Sequence, residues 1–125
     1  FTTVKGLEGS CDISRDRTAI ISLNHLESGQ LKTERLLLHP RDYGFDGPDP
    51  SLTGLGPLLE DYADVIAGQH NEISRSAIWN SGFYLWRVGR VASIEDGFAW
   101  AQASLKNEPV EEKLQQIKAV IDQLS

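Results

Sequence analysis

The fold of this chain is decided by residues 74–90, which read SRSAIWNSGFYLWRVGR. This run is the densest apolar stretch of the sequence, and it lacks the alternation of apolar and polar residues that is typical of a strand. We therefore predict a helix. At 3.6 residues per turn, one side of it is small and aliphatic and the roughly opposite side is aromatic. The first side carries Ala77, Ser81, Leu85 and Val88 with Ile78 beside them, and the second carries Trp79, Phe83 and Trp86.

A helix that is apolar on two sides is normally buried between two layers. A sheet and the other helices of this chain can form one layer. We predict that Trp79, Phe83 and Trp86 form an aromatic surface, covered by a missing N-terminal part of a longer protein or by a second subunit. The alternative that the sequence leaves open is that the terminal helices of this chain cover the same surface.

Residues 1–38 have the composition of strands. Residues 1–5 predict one strand, and residues 18–23 and 31–38 predict a β-hairpin across a polar loop that contains Ser28 and Gly29. Residues 39–50 contain three prolines and two glycines, which exclude a regular helix or a central strand and indicate an ordered surface loop.

The remainder of the sequence predicts helices around the central one. A helix starts near Pro57 and ends at Gly68, Ser93 is the cap of another, and Pro109 opens a last one. The predicted fold class is therefore mixed α/β, with a strand and a β-hairpin followed by four helices.

Composition limits the kind of protein. The chain has 125 residues, 40% hydrophobic residues and a net charge of −6, which fits one globular domain with a core of its own.

The apolar runs are too short to span a membrane, and a single cysteine, Cys11, suits a reducing compartment, so we predict a cytoplasmic protein. Nucleic-acid binding is disfavoured, because such proteins usually have a continuous basic face and a high pI, and the only candidate for such a face is the group of Arg75, Arg87 and Arg90. The sequence has no methionine and begins in a predicted strand, so we expect a fragment of a longer polypeptide.

Few local patterns suggest chemistry. The three histidines are scattered, and neither a nucleophile motif nor a phosphate-binding glycine loop is present. The stretch from Glu8 to Asp12 places acids on a glycine-containing loop just after a predicted strand, as magnesium sites on phosphorylated substrates often do. On these residues alone, a solvated acidic turn is the favoured alternative.

A resemblance extends over nearly the whole chain. Its motifs are GLEGSCDIS at 6–14, HPRDYGF at 39–45, DVIAG at 64–68, NSGFYLWRVG at 80–89 and SIEDG at 93–97. In this order they resemble the last third of anthranilate phosphoribosyltransferase and its glycosyltransferase family 3 relatives. That family has a Gly-x-Asp-Gly-Leu-Asp-Glu-Ile-Ser loop, a hairpin, a Pro-x-Asp-x-Gly turn, an alanine-rich helix that begins with Asn, and a Ser-x-Glu-Glu-Gly helix start.

The resemblance implies that residues 1–125 are the C-terminal part of a single α/β phosphoribosyltransferase-like domain. The parent enzyme would transfer a 5-phosphoribosyl group from phosphoribosyl pyrophosphate to an aromatic amine such as anthranilate, in tryptophan biosynthesis, with Mg²⁺ as cofactor. The resemblance implies no catalytic residue within this chain. It implies a weak metal site at Asp12, with Glu8 as a possible helper.

Two departures mark a divergent relative. Cys11 stands where the family has the first of two adjacent acids, and a thiol is a poor ligand for a hard cation. Trp79, Phe83 and Trp86 replace small residues of the central helix. The family's pyrophosphate loop and its Lys-His-Gly-Asn-Arg segment are not in this sequence, so we expect the isolated chain to be inactive. The alternative is a non-catalytic family relative that binds nucleic acid or protein.

Overall fold

The computed structural model describes residues 1–4, 10–50, 54–106 and 109–124. Its strands are β1 (Thr2–Val4), β2 (Ala19–Glu27) and β3 (Gln30–Leu38), and its helices are α1 (Leu55–Ile66), α2 (Glu72–Arg87), α3 (Ile94–Lys106) and α4 (Pro109–Leu124), with a short 3-10 turn at Pro40–Tyr43. The predicted mixed α/β class, with a strand and a hairpin before four helices, is confirmed. Among the described residues, none of the helices has the length and apolar character needed to cross a membrane.

The three strands form one antiparallel sheet in the order β1-β2-β3. The hairpin turns at Ser28 and Gly29, both with positive φ (53° and 81°), which is the backbone twist that suits a two-residue connection. Pairing of Ala19 with Leu38, and of Ile21 with Leu36, places these side chains on one face. Ala19, Ile21 and Leu38 are buried there in the core of the protein.

Helix α2 lies against this face, as its apolar composition predicts. It begins at Glu72, and its cap is Asn71, two residues before the start of the predicted helix at Ser74. Asn71 Oδ1 accepts a hydrogen bond from the Ser74 amide at 2.9 Å, and the Ser74 hydroxyl accepts one from the Asn71 amide at 2.9 Å. This reciprocal pair satisfies donors that a helix N-terminus otherwise leaves open. The start of α2 is therefore well fixed.

Helix α3 crosses α2 at two glycines. A Cβ atom on Gly97 would overlap the carbonyl oxygen of Gly82, and one on Gly82 would overlap the ring of Phe98. The two backbones therefore approach as closely as they do because neither position carries a side chain. The predicted cap of α3 is confirmed, since the Ser93 hydroxyl accepts a hydrogen bond from the Asp96 amide at 3.0 Å.

The aromatic side of α2 is covered mainly by the chain itself. Trp79 and Phe83 are both 0% exposed. Trp79 stacks on Phe98 of α3, with 5.3 Å between ring centroids, and Tyr43 and Phe45 of the turn after β3 pack around both rings.

This burial corrects one expectation. Trp79 and Phe83 do not form an exposed surface, because both are fully buried in the core, where Tyr43, Phe45 and Phe98 pack around Trp79. Trp86 is only half-buried, and the guanidinium of Arg87 lies 5.2 Å from its ring centroid. A partner that covers Trp86 stays a prediction.

Helices α1 and α4 lie at the periphery. On α1, Val65 is buried whereas Leu55, Leu59 and Tyr62 are exposed. Helix α1 ends as predicted, with Gly68 at φ 79° just after it. On α4, Val110 and Leu114 are half-buried, and Ile117, Val120 and Ile121 are at least half exposed. The aliphatic side of α2 and neighbouring residues of α3 and α4 line a shallow apolar groove, formed by Ala77, Ile78, Ser81, Ala101, Ser104, Leu105 and Val110.

Candidate functional site at the loop before the hairpin

The loop before β2 contains the residues for which the sequence predicts metal binding. Asp12 is exposed, and its Oδ2 accepts a hydrogen bond from the Ser10 hydroxyl at 3.2 Å. The Asp12 amide donates back to the same hydroxyl at 3.1 Å, which closes a tight local turn. The thiol-bearing Cys11 is also exposed. Glu8, the predicted helper, lies outside the described residues.

Two side chains of α2 hold this loop. Asn80 Oδ1 accepts a hydrogen bond from the Ile13 amide at 2.7 Å, and Asn80 Nδ2 donates to the carbonyls of Ser76 at 3.0 Å and of Ile13 at 3.4 Å. One turn further along, the Tyr84 hydroxyl donates to the Cys11 carbonyl at 2.6 Å. Residues four apart share a helix face, so Asn80 and Tyr84 together fix the backbone on both sides of Asp12.

The phenol of Tyr84 is protonated at neutral pH, as an ordinary tyrosine is. Burial raises the pKa of Tyr84 further, and electrostatic interactions with Cys11 and Asp12 add to this rise. A protonated phenol is a hydrogen-bond donor, which is the form that the Cys11 carbonyl requires. The anchor is therefore intact throughout the neutral pH range.

The next part of the loop is held by a buried arginine. The Arg15 side chain is 0% exposed and forms an ion pair with Glu72 at the start of α2, with 2.8 Å between Nη2 and Oε2. Its other nitrogens donate to the Phe45 carbonyl at 2.9 Å, the Glu72 carbonyl at 3.0 Å and the Ser76 hydroxyl at 3.3 Å. A buried charge needs such a complete set of partners. Arg15 thereby joins the loop, the turn after β3 and α2.

Asp49 adds a second connection from the proline-rich segment. Its Oδ1 accepts a hydrogen bond from the Arg15 amide at 2.8 Å, and its Oδ2 accepts one from the Ser14 hydroxyl at 2.6 Å. Asp16 Oδ1 lies 2.5 Å from the same Ser14 hydroxyl, whose one proton is shared between the two carboxylates. Hydrogen bonds from Arg17 and Ser14 hold the pKa of Asp16 below its ordinary value. Asp49 and Asp16 are therefore engaged in structural hydrogen bonds.

The described residues do not form a complete metal site on their own. No group of three or more histidine, cysteine, aspartate or glutamate side chains among them could hold a metal ion. Asp12 supplies one exposed carboxylate, and Cys11 supplies a sulfur that Mg²⁺ does not favour. Magnesium binds through one or two carboxylates when substrate phosphates supply further oxygens. One exposed carboxylate is compatible with that shared mode and equally with a solvated acidic turn.

Sequence reasoning did not identify Arg15, Asp49 or Tyr84. Their partners lie 30 to 73 residues away along the chain, and a short-range sequence pattern cannot indicate such pairs. Asn80 is the first residue of the NSGFYLWRVG motif, and nothing in that motif indicates its bond to Ile13.

No protein-family model matches the chain, and no curated protein matches it.

Proposed function

We propose that this chain is the C-terminal part of a phosphoribosyltransferase-like enzyme of the cytoplasm. The enzyme would transfer a 5-phosphoribosyl group from phosphoribosyl pyrophosphate to a small aromatic amine such as anthranilate. The observation that supports the proposal is the bond between Asn80 and Ile13, because it joins two of the motifs that carry the resemblance.

Two further contacts join two of the three remaining motifs, HPRDYGF and SIEDG, to the same helix. Arg75 Nη2 donates to the Gly44 carbonyl of the turn after β3 at 2.9 Å, and Gly97 of the SIEDG motif lies against Gly82 of α2. Segments that are far apart in the sequence therefore meet around α2. If this chain shares the fold of the family that it resembles, the motifs must contact one another, whereas motifs that are similar only by chance need not do so.

In this proposal Asp12 is the residue of the chain that faces the substrate. Its carboxylate would help to hold Mg²⁺ against the phosphates of phosphoribosyl pyrophosphate, where the cation neutralises negative charge on the pyrophosphate that leaves. Asn80, Tyr84 and Arg15 are positioning residues, since they fix the loop that carries Asp12. Catalysis by positioning needs the parent enzyme's other segments as well, so the 125-residue chain alone should transfer nothing.

The experiment is a calorimetric titration of Mg²⁺ into the parent polypeptide, with and without phosphoribosyl pyrophosphate. We expect binding that requires the substrate and that weakens at least about tenfold in Asp12→Asn, since a lone carboxylate supplies one of few protein ligands. Asp16→Asn is the matched control, because this exposed acid lies four residues on and is already engaged with Ser14 and Arg17. Cys11→Asp should strengthen the binding. Identical curves for the parent and Asp12→Asn would refute the metal role.

One observation favours a second function. In the described part of the loop, Asp12 is the only carboxylate next to Cys11, whereas the family has two adjacent acids there. Fewer magnesium ligands are what we expect of a relative that binds a partner without catalysing a reaction. The sequence of the parent polypeptide upstream of this chain distinguishes the two functions. An intact Gly-Thr-Gly-Gly-Asp loop supports the enzyme, and a degraded loop with basic replacements supports a module that binds nucleic acid or protein.

A further inference from the structure

The far half of the β2–β3 hairpin projects beyond the helices. From His25 to Arg35, every residue is exposed, on both faces of the ribbon. Leu26 and Leu31 pair across the strands near the tip and are 75% and 58% exposed. A two-stranded ribbon without a covering layer is only marginally stable in water, so this arm gains from any further strand that pairs with it.

Strand β3 offers a place for such a strand. Among the described residues it pairs with β2 alone, and its other edge carries a row of backbone donors and acceptors without a partner strand. Nine residues is long for an exposed edge, and proteins usually interrupt such edges with prolines, bulges or charges. The charges here alternate in sign: Lys32 is followed by Glu34 and Arg35.

We propose that β3 pairs with β3 of a second copy of this chain, antiparallel about a two-fold axis at Thr33. In a two-fold antiparallel pair, the residue at the axis lies opposite itself, so one residue defines the register. With Thr33 at the axis, Lys32 lies opposite Glu34 of the second copy, and the same pair occurs again on the other side of the axis. An axis at Lys32, Glu34 or Arg35 would instead place like charges directly opposite each other, which is unfavourable.

The charges of the single chain are consistent with this register. Glu34 and Arg35 form no ion pair among the residues that the structure describes, whereas Lys32 pairs with Glu27 across the hairpin. In the dimer, Lys32 would lie between Glu27 of its own chain and Glu34 of the second copy. Glu34 thereby gains the opposite charge that it lacks in the single chain.

The outer face of the sheet supports the same register. Ile20 and Leu37 form a cross-strand pair on this face and are 48% and 49% exposed. With Thr33 at the axis, Leu37 lies diagonally next to Leu31 of the second copy, at about 7–8 Å between Cα atoms, which leucine side chains can bridge. The exposed pairs Ile20–Leu37 and Leu26–Leu31 of each hairpin thus form one apolar strip that crosses the interface.

Sedimentation equilibrium of the 125-residue chain tests the proposal. We expect a concentration-dependent dimer that Lys32→Glu and Glu34→Lys each weaken about tenfold, since each change turns two attractive pairs into two repulsive ones. The double variant Lys32→Glu/Glu34→Lys exchanges the charges and should restore the dimer to within about threefold of the parent affinity. Glu60→Lys, on the exposed part of α1, is the control for net charge.

A cross-linking experiment tests the register directly, in a Cys11→Ser background. Thr33→Cys places two cysteines opposite each other across the axis, within the Cα separation that a disulfide spans. Gln30→Cys places its two copies about 20 Å apart, at roughly 3.4 Å per residue, and should not cross-link. A monomer at every concentration, a dimer that the charge variants leave unchanged, or equal cross-linking by both cysteines would overturn the proposal.

Discussion

The side-chain oxygen of Asn80 accepts a hydrogen bond at 2.7 Å from the amide of Ile13, which lies 67 residues earlier in the chain. Ile13 is itself buried at 1% exposure, so this amide has little access to water. The bond therefore does two things at once. It satisfies a backbone donor that folding removes from solvent, and it fixes the distance between α2 and the loop that carries Asp12.

Replacement of Asn80 by alanine should destabilise the protein by about 1–3 kcal/mol, because it leaves the Ile13 amide without an acceptor. Denaturation by urea, followed by circular dichroism, measures the change. Ser81→Ala is the matched control, since Ser81 is the next residue of α2 and its side chain is exposed. Equal midpoints for the two variants would contradict the role given to Asn80.

The Arg15–Glu72 ion pair should be strongly asymmetric in its effect on stability. Arg15→Lys should cost about 3 kcal/mol, because an ammonium group cannot reach the several acceptors that the buried guanidinium contacts. Glu72→Gln should cost less, about 1–2 kcal/mol, because the buried guanidinium loses its charged partner while the amide oxygen and water, at a side chain that is 49% exposed, can still accept its hydrogen bond. Urea denaturation of both variants checks the order. A larger cost for Glu72→Gln would show that the carboxylate, and not the arginine, is the centre of the network.

The crossing of α2 and α3 predicts different costs for two kinds of glycine substitution. Gly82→Ala and Gly97→Ala should each destabilise the protein by about 1–3 kcal/mol, because the new methyl group has no space between the helices. Gly56→Ala in α1 should change the stability by less than about 1 kcal/mol, because no residue beyond its chain neighbours lies within 4 Å of the new Cβ atom and the ring of Pro57 offsets the helix preference of alanine. Thermal unfolding compares the three variants. A stabilising effect at Gly97 would mean that the helices can separate at little cost.

The raised pKa of Tyr84 predicts how stability changes at alkaline pH. A raised folded-state pKa gives a contribution that is fully present below the unfolded value of about 10 and is lost as the pH rises through the folded-state value. Tyr84→Phe should therefore cost about 1 kcal/mol at neutral pH, and the difference from the parent should shrink above about pH 10. Urea denaturation across this pH range measures the free energy of unfolding of both proteins, with Tyr62→Phe as the control. If Tyr84→Phe lowered this free energy by the same amount at every pH, the raised pKa of Tyr84 would be contradicted.

Local patterns predicted the secondary structure well. The central helix was predicted at 74–90 and lies at Glu72–Arg87, and the hairpin strands extend to the turn at Ser28 and Gly29, where the residue types favour positive φ. The prediction that the aromatic side of α2 faces outward was wrong for Trp79 and Phe83, because helical periodicity identifies an apolar side and not what covers it. The covering residues Tyr43 and Phe45 come from a segment read only as a loop. The Arg15 network could not be predicted at all, since its partners lie in three different segments.

The peripheral position of α4 has a consequence for the order in which the chain opens. Ile117, Val120 and Ile121 of α4 are at least half exposed, so detachment of this helix gives up little buried surface. The start of α2, in contrast, is held by Arg15, Asn71 and Ser74. Amide hydrogens of α4 should therefore exchange with deuterium through local opening, long before those of α2, which require the whole fold to open. Each such opening also removes Val110 from the lining of the apolar groove at Ala77 and Ala101. The width of this groove thus changes with the attachment of α4, on a timescale separate from the lifetime of the folded core.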